Sequence, residues 1–360
     1  MNILYPESAA SAREMVRQSG RARRALLPAG RRSRLARWPG LEEEGGAALL
    51  SSERLTKVLS VEPENLLAIV EAGLSPEEVR RALEPAGLYW PVSGLDRRSL
   101  GAIMAEGALS LESMARGPMI DWILGSTFVE PSGRLISSGG RTLKNVSGYD
   151  LTRFHWRAWG SLGFSTAFIL KCLPLPESSR VLEIQCASGT EAAGLAESVI
   201  LKRIFPQALR LSYQEDRWSL LVWLTGFAEY VEARFKELRA LAGDRPGRVH
   251  EEALDFWNGY LARWPLKAPG AGHWLGSRRA VLDLAAHLDW PELKGRPGRI
   301  DLDPGGGQIR FEGQAEAFAP LDAFETAGPR PEGEVYLRLK RGLDPADLFF
   351  PARLLGRQVK

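Results

Sequence analysis

Two glycine-rich turns in the segment 139–173 have the residue types that bind an anionic ligand through main-chain N–H groups. The candidate residues are Lys144, Asn145, Gly148, Tyr149 and Asp150 in the first turn and Gly160, Ser161 and Gly163 in the second. Glycine permits positive φ angles and a close approach of a ligand to the backbone. The Lys144 ammonium and the Asn145 amide could donate hydrogen bonds to a pyrophosphate or to a polar ring edge. A β-prone apolar run follows, so both turns are predicted to lead into a buried strand.

Two segments closer to the N-terminus carry further candidate ligand-binding residues. They are Gly30, Arg31, Arg32 and Ser33 in the first segment and Ser99, Leu100 and Gly101 in the second. Arginine binds phosphate well because its planar fork of donors pairs with two oxygens at once. In the second segment, Ala102 and Glu106 add a methyl group and a carboxylate. These groups would crowd or repel a pyrophosphate that came close to the backbone.

Each of these segments also has an interpretation without a ligand. The two turns could be a hairpin and a loop that happen to be rich in glycine. Residues 99–108 could form an N-capped helix with a structural role. Residues 28–34 could be a solvated basic loop or a docking surface for an acidic partner. The residues alone leave these alternatives open.

The order and spacing of the two turns carry a family resemblance. Lys-Asn-x-x-Gly-Tyr-Asp and Gly-Ser-x-Gly follow each other, and the strand after them ends in Leu-Pro at residues 173–174. In this the chain resembles the PCMH-type FAD-binding proteins of the vanillyl-alcohol oxidase superfamily. It most resembles their group of smaller FAD-binding subunits of bacterial glycolate oxidases. The resemblance covers most of residues 1–175 and the terminal stretch 343–353, LDPADLFFPAR.

The resemblance implies an α+β fold. We expect a PCMH-type FAD-binding domain at residues 1–175, built from two α/β subdomains at about 1–60 and 61–175. A reduced α+β cap domain would follow at 176–325, and a C-terminal tail at 326–360 would return to the FAD domain. The candidate residues named above would then contact FAD, held non-covalently if it is held. In the resembling proteins a glycine-rich loop wraps the diphosphate, and here the arginine-rich residues 28–34 take its place.

The function implied is that of an accessory FAD-binding subunit in a glycolate or 2-hydroxy-acid oxidase (dehydrogenase) complex. Its partners would be a catalytic FAD-binding oxidase subunit and an iron–sulfur electron-transfer subunit. Only Cys172 and Cys186 are present, so a cysteine-ligated iron–sulfur cluster within this chain is excluded. The alternative is a flavin-less scaffold that stabilises the catalytic and iron–sulfur partners. An enzyme with its own complete catalytic set is not expected.

The histidines do not suggest a metal or a catalytic base. His155, His250, His273 and His287 have no metal-ligand spacing, so no metal site is expected. His155 lies between two aromatic residues, which favours a packed or interface histidine. The segment 253–264 places four aromatic residues at helical spacing, which indicates core packing or a partner groove.

The totals limit the remaining function classes. The chain has 360 residues, which favours two domains, and 47 basic against 44 acidic residues, a balance that does not favour nucleic acid. We find no apolar run long enough for a transmembrane helix and no secretory signal at the N-terminus. A cytoplasmic location is therefore predicted, with any membrane contact made through partners.

Several elements can be placed from local patterns. Residues 6–19 predict an amphipathic helix capped by Ser8, and 75–85 predict a helix with Pro76 at its first position. A hairpin is predicted over 123–138. After residue 176, the strand–helix–strand–strand–helix order predicts an α+β layer with an antiparallel sheet.

Overall fold

Short strands and helices alternate along the chain in the computed structural model, which describes residues 2–32, 47–95, 98–141, 149–262, 271–275, 281–282, 285, 299–304, 308–312, 325–326 and 334–349. The strands are β1 (Asn2–Leu4), β2 (Leu26–Ala29), β3 (Ala48–Ser51), β4 (Val58–Glu62), β5 (Leu67–Glu71), β6 (Leu88–Tyr89), β7 (Ile123–Val129), β8 (Leu135–Gly139), β9 (Phe164–Lys171), β10 (Leu173–Pro174), β11 (Ser178–Cys186), β12 (Ala208–Gln214), β13 (Arg217–Gly226), β14 (Gly247–His250), β15 (Ala271–Leu275), β16 (Arg299–Asp303), β17 (Gln308–Glu312) and β18 (Glu325–Thr326). The α-helices are α1 (Ala9–Arg21), α2 (Pro76–Leu83), α3 (Leu100–Glu106), α4 (Ser113–Arg116), α5 (Leu151–His155), α6 (Gly189–Leu201), α7 (Ala228–Ala242), α8 (Ala253–Ala262) and α9 (Glu334–Leu343).

Capping residues fix the starts of the first two helices. The Ser8 hydroxyl accepts a hydrogen bond from the Ser11 N–H at 3.1 Å and begins α1, as predicted. Ser75 begins α2 in the same way, and Glu78 accepts a bond from the Ser75 N–H at 2.7 Å. Pro76 occupies the first helical position, where a missing N–H costs no hydrogen bond.

The chain divides into two compact units, each with its own core. Unit 1 consists of Met1–Ala108, Pro118–Leu175 and Pro329–Lys360, and unit 2 of Leu109–Gly117 and Pro176–Gly328. The predicted domains, 1–175, 176–325 and 326–360, stay a prediction. No local pattern predicted that the short segment Leu109–Gly117 packs within unit 2.

Unit 1 contains a three-stranded parallel sheet, and α1 packs beside it. Its order is β1-β3-β2, with Ile3 opposite Leu49 and Leu27 opposite Leu49 on the other side. Val16 of α1 is fully buried and joins the apolar cluster beside this sheet. Parallel strands place their carboxyl ends at one edge, and here that edge is followed by residues 30–32 and 52–54.

A five-stranded antiparallel sheet forms the rest of the unit 1 framework. Its order is β4-β5-β9-β7-β8, and the predicted hairpin over 123–138 is its β7–β8 pair. The hairpin turn is closed by the Glu130 N–H, which donates to the Arg134 carbonyl at 2.9 Å. Val79 of α2 and Ile103 of α3 are fully buried in the core that covers one face of this sheet.

The described part of the C-terminal segment also packs within unit 1. Lys340 of α9 is buried and donates to Asp344 Oδ2 at 2.5 Å and to the Phe349 carbonyl at 2.6 Å. The Leu26 N–H of β2 donates to the Leu348 carbonyl at 2.6 Å, so the segment adds to the edge of the parallel sheet. A paired, fully buried charge of this kind fixes the segment in one position.

Unit 2 is built on an eight-stranded sheet of described strands, in the order β14-β11-β13-β12-β16-β17-β15-β18. All of its strand pairs are antiparallel, as the pattern after residue 176 predicted. α6 and α7 cover one face, where Leu195 and Phe235 join the main core. Trp257 of α8 packs on the other face against Trp223 and Leu111, which confirms core packing for this aromatic helix.

Candidate functional site

The carboxyl ends of the parallel strands β2 and β3 bring two of the predicted segments together. Gly30 follows β2 directly, and its carbonyl accepts a hydrogen bond from the Ser51 hydroxyl at 3.0 Å. Ser52 follows β3, and its hydroxyl oxygen lies 3.5 Å from that of Ser99. Ligands of open α/β sheets bind in the crevice outside the carboxyl ends of the strands. We therefore take this edge of unit 1 as the candidate site.

Gly30 touches the start of α3 so closely that no side chain fits. A Cβ at this position would overlap the Ser99 hydroxyl and lie 2.8 Å from the Ala102 Cβ. The Ala102 methyl group, which on the sequence alone seemed to crowd a ligand, packs on Gly30 instead. Glycine at position 30 is therefore required by this contact.

Ser99 is the N-cap of α3, and its hydroxyl accepts a first-turn N–H at 3.2 Å. The N–H groups of Leu100 and Gly101, the first two residues of the helix, donate to the carbonyls of Leu74 and Ala72, both at 2.8 Å. The free donors that a helix start normally offers are thus used inside the protein. The structure shows the N-capped helix that was one of the two interpretations of this segment. Contact of residues 99–101 with FAD stays a prediction.

Both described arginines of the loop after β2 are paired with carboxylates. Arg31 forms an ion pair with Glu78, and its Nε donates to the Gly73 carbonyl at 3.1 Å. Arg32 pairs with Glu53 at 3.0 Å. Burial opposes the charge of Glu78, but bonds from Ser75 and the Arg31 charge hold its pKa below the ordinary value. The positive charges of Arg31 and Arg32 are therefore neutralised by carboxylates.

The second predicted turn does not present all of its N–H groups. The amides of Arg157 and Trp159 donate to carbonyls in the last turn of α3, at 3.2 and 2.9 Å. The Ser161 amide donates within its own turn at 2.9 Å. The amides of these three residues therefore fix the turn, and contact of Ser161 with FAD stays a prediction. Arg157 and Trp159 accept φ angles of 63° and 55° to make these bonds.

Gly160 has the positive φ angle expected of a glycine in this turn, and Gly163 makes a close contact that only glycine allows. Gly160 has a φ of 72°, and a Cβ there would lie 2.7 Å from the Cβ of Pro28 in β2. This contact places the turn against the same strand that leads to Gly30. Among the residues that the structure describes, the amides of Gly160 and Gly163 have no hydrogen-bond acceptor. Gly160 is partly exposed and Gly163 is buried, and contact of either amide with FAD stays a prediction.

The other predicted residues divide into two groups. Ser33, Lys144, Asn145 and Gly148 lie outside the described residues. Tyr149 has a side chain that is 95% exposed, and Asp150 caps α5 by accepting the Arg153 N–H at 2.9 Å. The structure thus gives Asp150 a structural role, and its contact with FAD stays a prediction.

His155 is a packed core residue. Its ring centroid lies 4.0 Å from that of Phe128, and a Cβ at Gly163 would lie 2.8 Å from its Cε1. Burial lowers the pKa of His155 to about 4. The ring is therefore neutral at pH 7 and enclosed by apolar groups, as expected for a packed histidine.

Neither cysteine is suited to a covalent flavin link. Cys172 and Cys186 are both buried and free. Burial raises the pKa of Cys172 to about 12 and is the main cause that raises the pKa of Cys186 to about 11. Since the thiolate is the nucleophile, these thiols are unreactive at neutral pH.

Sequence reasoning missed the carboxylates that hold the site together. Neither Glu78 nor Glu53 was among the predicted site residues. Glu106 pairs with Arg98 at 3.2 Å, and both side chains are largely buried, so its charge is neutralised. Glu78 and Glu53 lie far from Arg31 and Arg32 along the chain, so only the folded backbone shows these pairs.

Unit 2 contains a second buried polar cluster, on the sheet face covered by α8. Arg210 is buried and lies 3.3 Å from Asp301 Oδ2 and 3.0 Å from Asp303 Oδ2. The Tyr260 hydroxyl donates to Asp301 Oδ1 at 2.9 Å. Burial opposes the charge of Arg210, but the two carboxylates raise its pKa above the ordinary value. The two carboxylates pair with the buried guanidinium, and the cluster belongs to the structure of unit 2.

Two absences hold for the part of the chain that the structure describes. We find no group of three or more His, Cys, Asp or Glu side chains that could hold a metal ion. No helix there is long and apolar enough to cross a membrane.

Comparison with known proteins gives the class. A family model described as an FAD binding domain matches residues 2–139. Solved structures of alkyldihydroxyacetonephosphate synthase superpose with a TM-score of 0.72 over 97% of this chain and 75% of theirs. Because the sequences are 15% identical, this similarity is evidence for the fold and not for the function. Residues 2–139 thus match an FAD binding domain, and the superposition shows the α+β fold, so the predicted resemblance and fold class are confirmed.

Among curated proteins, the chain is similar to two subunits of glycolate oxidase. Subunit GlcD of Bacillus subtilis (strain 168) is 32% identical over 181 residues, which are 50% of this chain and 38% of that protein. Subunit GlcE of Escherichia coli (strain K12) is 26% identical over 309 residues, which are 82% of this chain and 84% of that protein. The chain thus spans well under half of the first relative and most of the second.

Proposed function

We propose that this chain is an accessory FAD-binding subunit of a glycolate or other 2-hydroxy-acid oxidase (dehydrogenase) complex. The observation that carries the proposal is the convergence of three distant segments at the carboxyl ends of β2 and β3. Gly30, Ser99 and Gly160 meet there, by way of the contacts of Ser99 with Gly30 and of Gly160 with Pro28. The similarity to the two glycolate oxidase subunits supports the substrate class.

The residues at this edge fit a dinucleotide through the main chain more than through side chains. Gly30 and Gly160 have no Cβ, and that space is taken by Ser99 and Pro28, so the three segments come together at an edge where a pyrophosphate could bind. The amides of Gly160 and Gly163 would donate to it, and Ser52 and Ser99 would supply hydroxyl groups. When bound, FAD supplies the two-electron chemistry of the oxidation. Both cysteines are buried thiols, which supports non-covalent binding.

We further propose that the substrate is oxidised on a partner subunit. Among the described residues of unit 1, the one histidine is neutral and enclosed by apolar groups, so it cannot accept a proton from a substrate. The partners would be a catalytic FAD-binding oxidase subunit and an iron–sulfur subunit that carries electrons onward. The chain has only two cysteines, which supports placing the iron–sulfur centres on another polypeptide.

A flavin-less scaffold is the second candidate, and the arginines favour it. The charges of Arg31 and Arg32 are neutralised by Glu78 and Glu53, so neither guanidinium is left without a carboxylate for a phosphate to replace. Further arginines on and after α1 make no ion pair among the described residues; they are Arg13, Arg17, Arg21, Arg23 and Arg24. Such a basic surface suits an acidic partner protein.

Absorbance of the purified chain separates the two candidates. The chain is expressed with and without its two proposed partner subunits, and the spectrum is recorded before and after denaturation. The proposal predicts flavin bands in the chain isolated alone and release of free FAD on unfolding. Colourless chain that still isolates with both partners would support the scaffold. Colourless chain that binds neither partner would reject both candidates.

A further inference from the structure

Three of the four most exposed large apolar side chains among the described residues lie at one end of unit 2. They are Leu201 at 74%, Phe205 at 69% and Phe227 at 75% exposure. Single exposed apolar residues are common on protein surfaces, but a contiguous group marks an interaction site. Aromatic side chains in particular are enriched in the centre of protein interfaces.

Backbone contacts show that the two loops carrying these side chains are neighbours. The Gln207 N–H donates to the Trp223 carbonyl at 2.7 Å, so the loop before β12 lies beside the end of β13. The Tyr230 hydroxyl donates to the Ile204 carbonyl at 3.4 Å, which joins the start of α7 to the same loop. We call Leu201, Phe205, Phe227 and Tyr230 the apolar patch.

The backbone holds Phe205 outward in a fixed conformation. Arg203 and Phe205 have φ angles of 55° and 51°, in the left-handed region that is strained for non-glycine residues. Ile204 between them is fully buried, and its N–H donates to the Val199 carbonyl at 3.3 Å. Burying Ile204 turns its two neighbours to the surface. A rigid exposed aromatic side chain loses little conformational entropy on binding.

Exposed charges of opposite sign flank the apolar patch, basic in the loop before β12 and acidic at the start of α7. The Arg234 guanidinium also lies 5.7 Å from the centroid of the Tyr230 ring, but it is paired with Glu237. Lys202 and Arg203 are exposed beside Phe205 and make no ion pair among the described residues. On the other side, Glu229 is exposed in the first turn of α7, and Glu177 bonds to the N–H of Ala228 at 3.0 Å. A two-fold axis through the patch would set the basic side of one copy against the acidic side of the other.

We infer that the apolar patch is a two-fold interface between two copies of this chain. The apolar side chains would pack at its centre, and Lys202 and Arg203 would pair with the acidic side of the second copy at the rim. Bipolar charge favours this occupant because a partner of one charge sign would meet repulsion on one side. The inference does not depend on flavin binding or on the proposed complex.

Light scattering across a concentration series measures the mass of the full chain in solution. It tests whether the apolar patch forms the centre of a dimer interface. The wild type is expected to form a dimer, and the double variant Phe205→Asp/Phe227→Asp to weaken it by about 100-fold. The control is Leu59→Asp, which changes a side chain exposed at 52% on β4 of unit 1 and should leave the dimer intact. Circular dichroism checks that each variant is folded. A monomeric wild type, or a Phe205→Asp/Phe227→Asp variant that dimerises normally, would overturn the inference.

A charge exchange tests the two-fold arrangement. Lys202→Glu/Arg203→Glu makes both sides acidic, and Glu229→Lys adds a basic group to the acidic side, so each variant alone should dimerise less than the wild type. Mixed together, they should form a heterodimer, because the basic group at position 229 then faces the acidic groups at positions 202 and 203, and the unchanged Lys202 and Arg203 face the unchanged Glu229 and Glu177. Mixing that restores no association would contradict a two-fold contact, even if the patch variants had lost the dimer.

Discussion

Glu78 competes with any phosphate for Arg31, and removing its charge should strengthen FAD binding. In the structure Glu78 accepts hydrogen bonds from the Ser75 N–H and hydroxyl and also pairs with Arg31. The Glu78→Gln variant keeps an acceptor for the capping bonds, since glutamine also serves in a capping box. It releases the Arg31 guanidinium toward the edge at Gly30. The proposed site would gain a phosphate-binding group without losing α2.

The expected gain follows from the exposure of the pair. The Arg31 and Glu78 side chains are 26% and 38% exposed, so water screens their attraction. Two unit charges at contact attract by about 1 kcal/mol in water and about 4 kcal/mol in a surface environment of lower dielectric constant. Partly exposed pairs fall near the lower value. Release of Arg31 should therefore lower the dissociation constant for FAD by about fivefold.

Fluorescence titration with FAD measures the effect. The matched control is Glu77→Gln, which breaks pairs with Arg80 and Arg81 on the same helix and does not touch the loop. The gain should disappear when Arg31 is replaced by methionine in the Glu78→Gln background. It should also shrink as salt is added. Equal affinities for wild type and Glu78→Gln, or the same gain in Glu77→Gln, would refute the reasoning.

The remaining predictions concern stability. Gly160→Ala should lower the free energy of unfolding by about 1–3 kcal/mol, because the φ angle at Gly160 is 72° and Pro28 is in contact. Denaturant titration measures this change. The control is Gly194→Ala, which should not destabilise the protein because a Cβ there meets nothing within 4 Å. The pKa of His155 falls from 6.5 to about 4 in the folded state, so the unfolded state takes up the proton first. Stability should fall by about 3 kcal/mol between pH 6.5 and 4; His155→Phe should lose less over that range, and an unchanged acid dependence would contradict the assignment. Arg210→Met removes the guanidinium that neutralises the buried carboxylates of Asp301 and Asp303 and should cost about 3–5 kcal/mol, partly restored when both are changed to asparagine. No loss in thermal melting would show that the cluster is not ionised.

Local patterns predicted the elements because local residues determine them. Ser8 and Ser75 cap their helices wherever those helices pack, and the turn at residues 130–133 closes a hairpin by its own hydrogen bonds. The fold class followed from the motifs in residues 139–173, which the comparisons then confirmed. These are properties of short stretches of chain.

The arrangement of the candidate site could not be predicted in the same way. Arg31 was expected to bind phosphate or solvent, but its partner Glu78 is brought near by the fold. The amides of Arg157 and Trp159 fix the second turn on the last turn of α3, a contact that no local pattern predicted. Such pairs depend on distances between segments far apart in the chain, and a single sequence does not contain those distances.

A structure of the full chain determined after saturation with FAD tests the central claim most directly. The account predicts the pyrophosphate at the carboxyl ends of β2 and β3, within hydrogen-bond distance of the Gly160 or Gly163 amide and in contact with Gly30. FAD bound elsewhere on the chain, or no FAD in a preparation that contained it in excess, would contradict the claim.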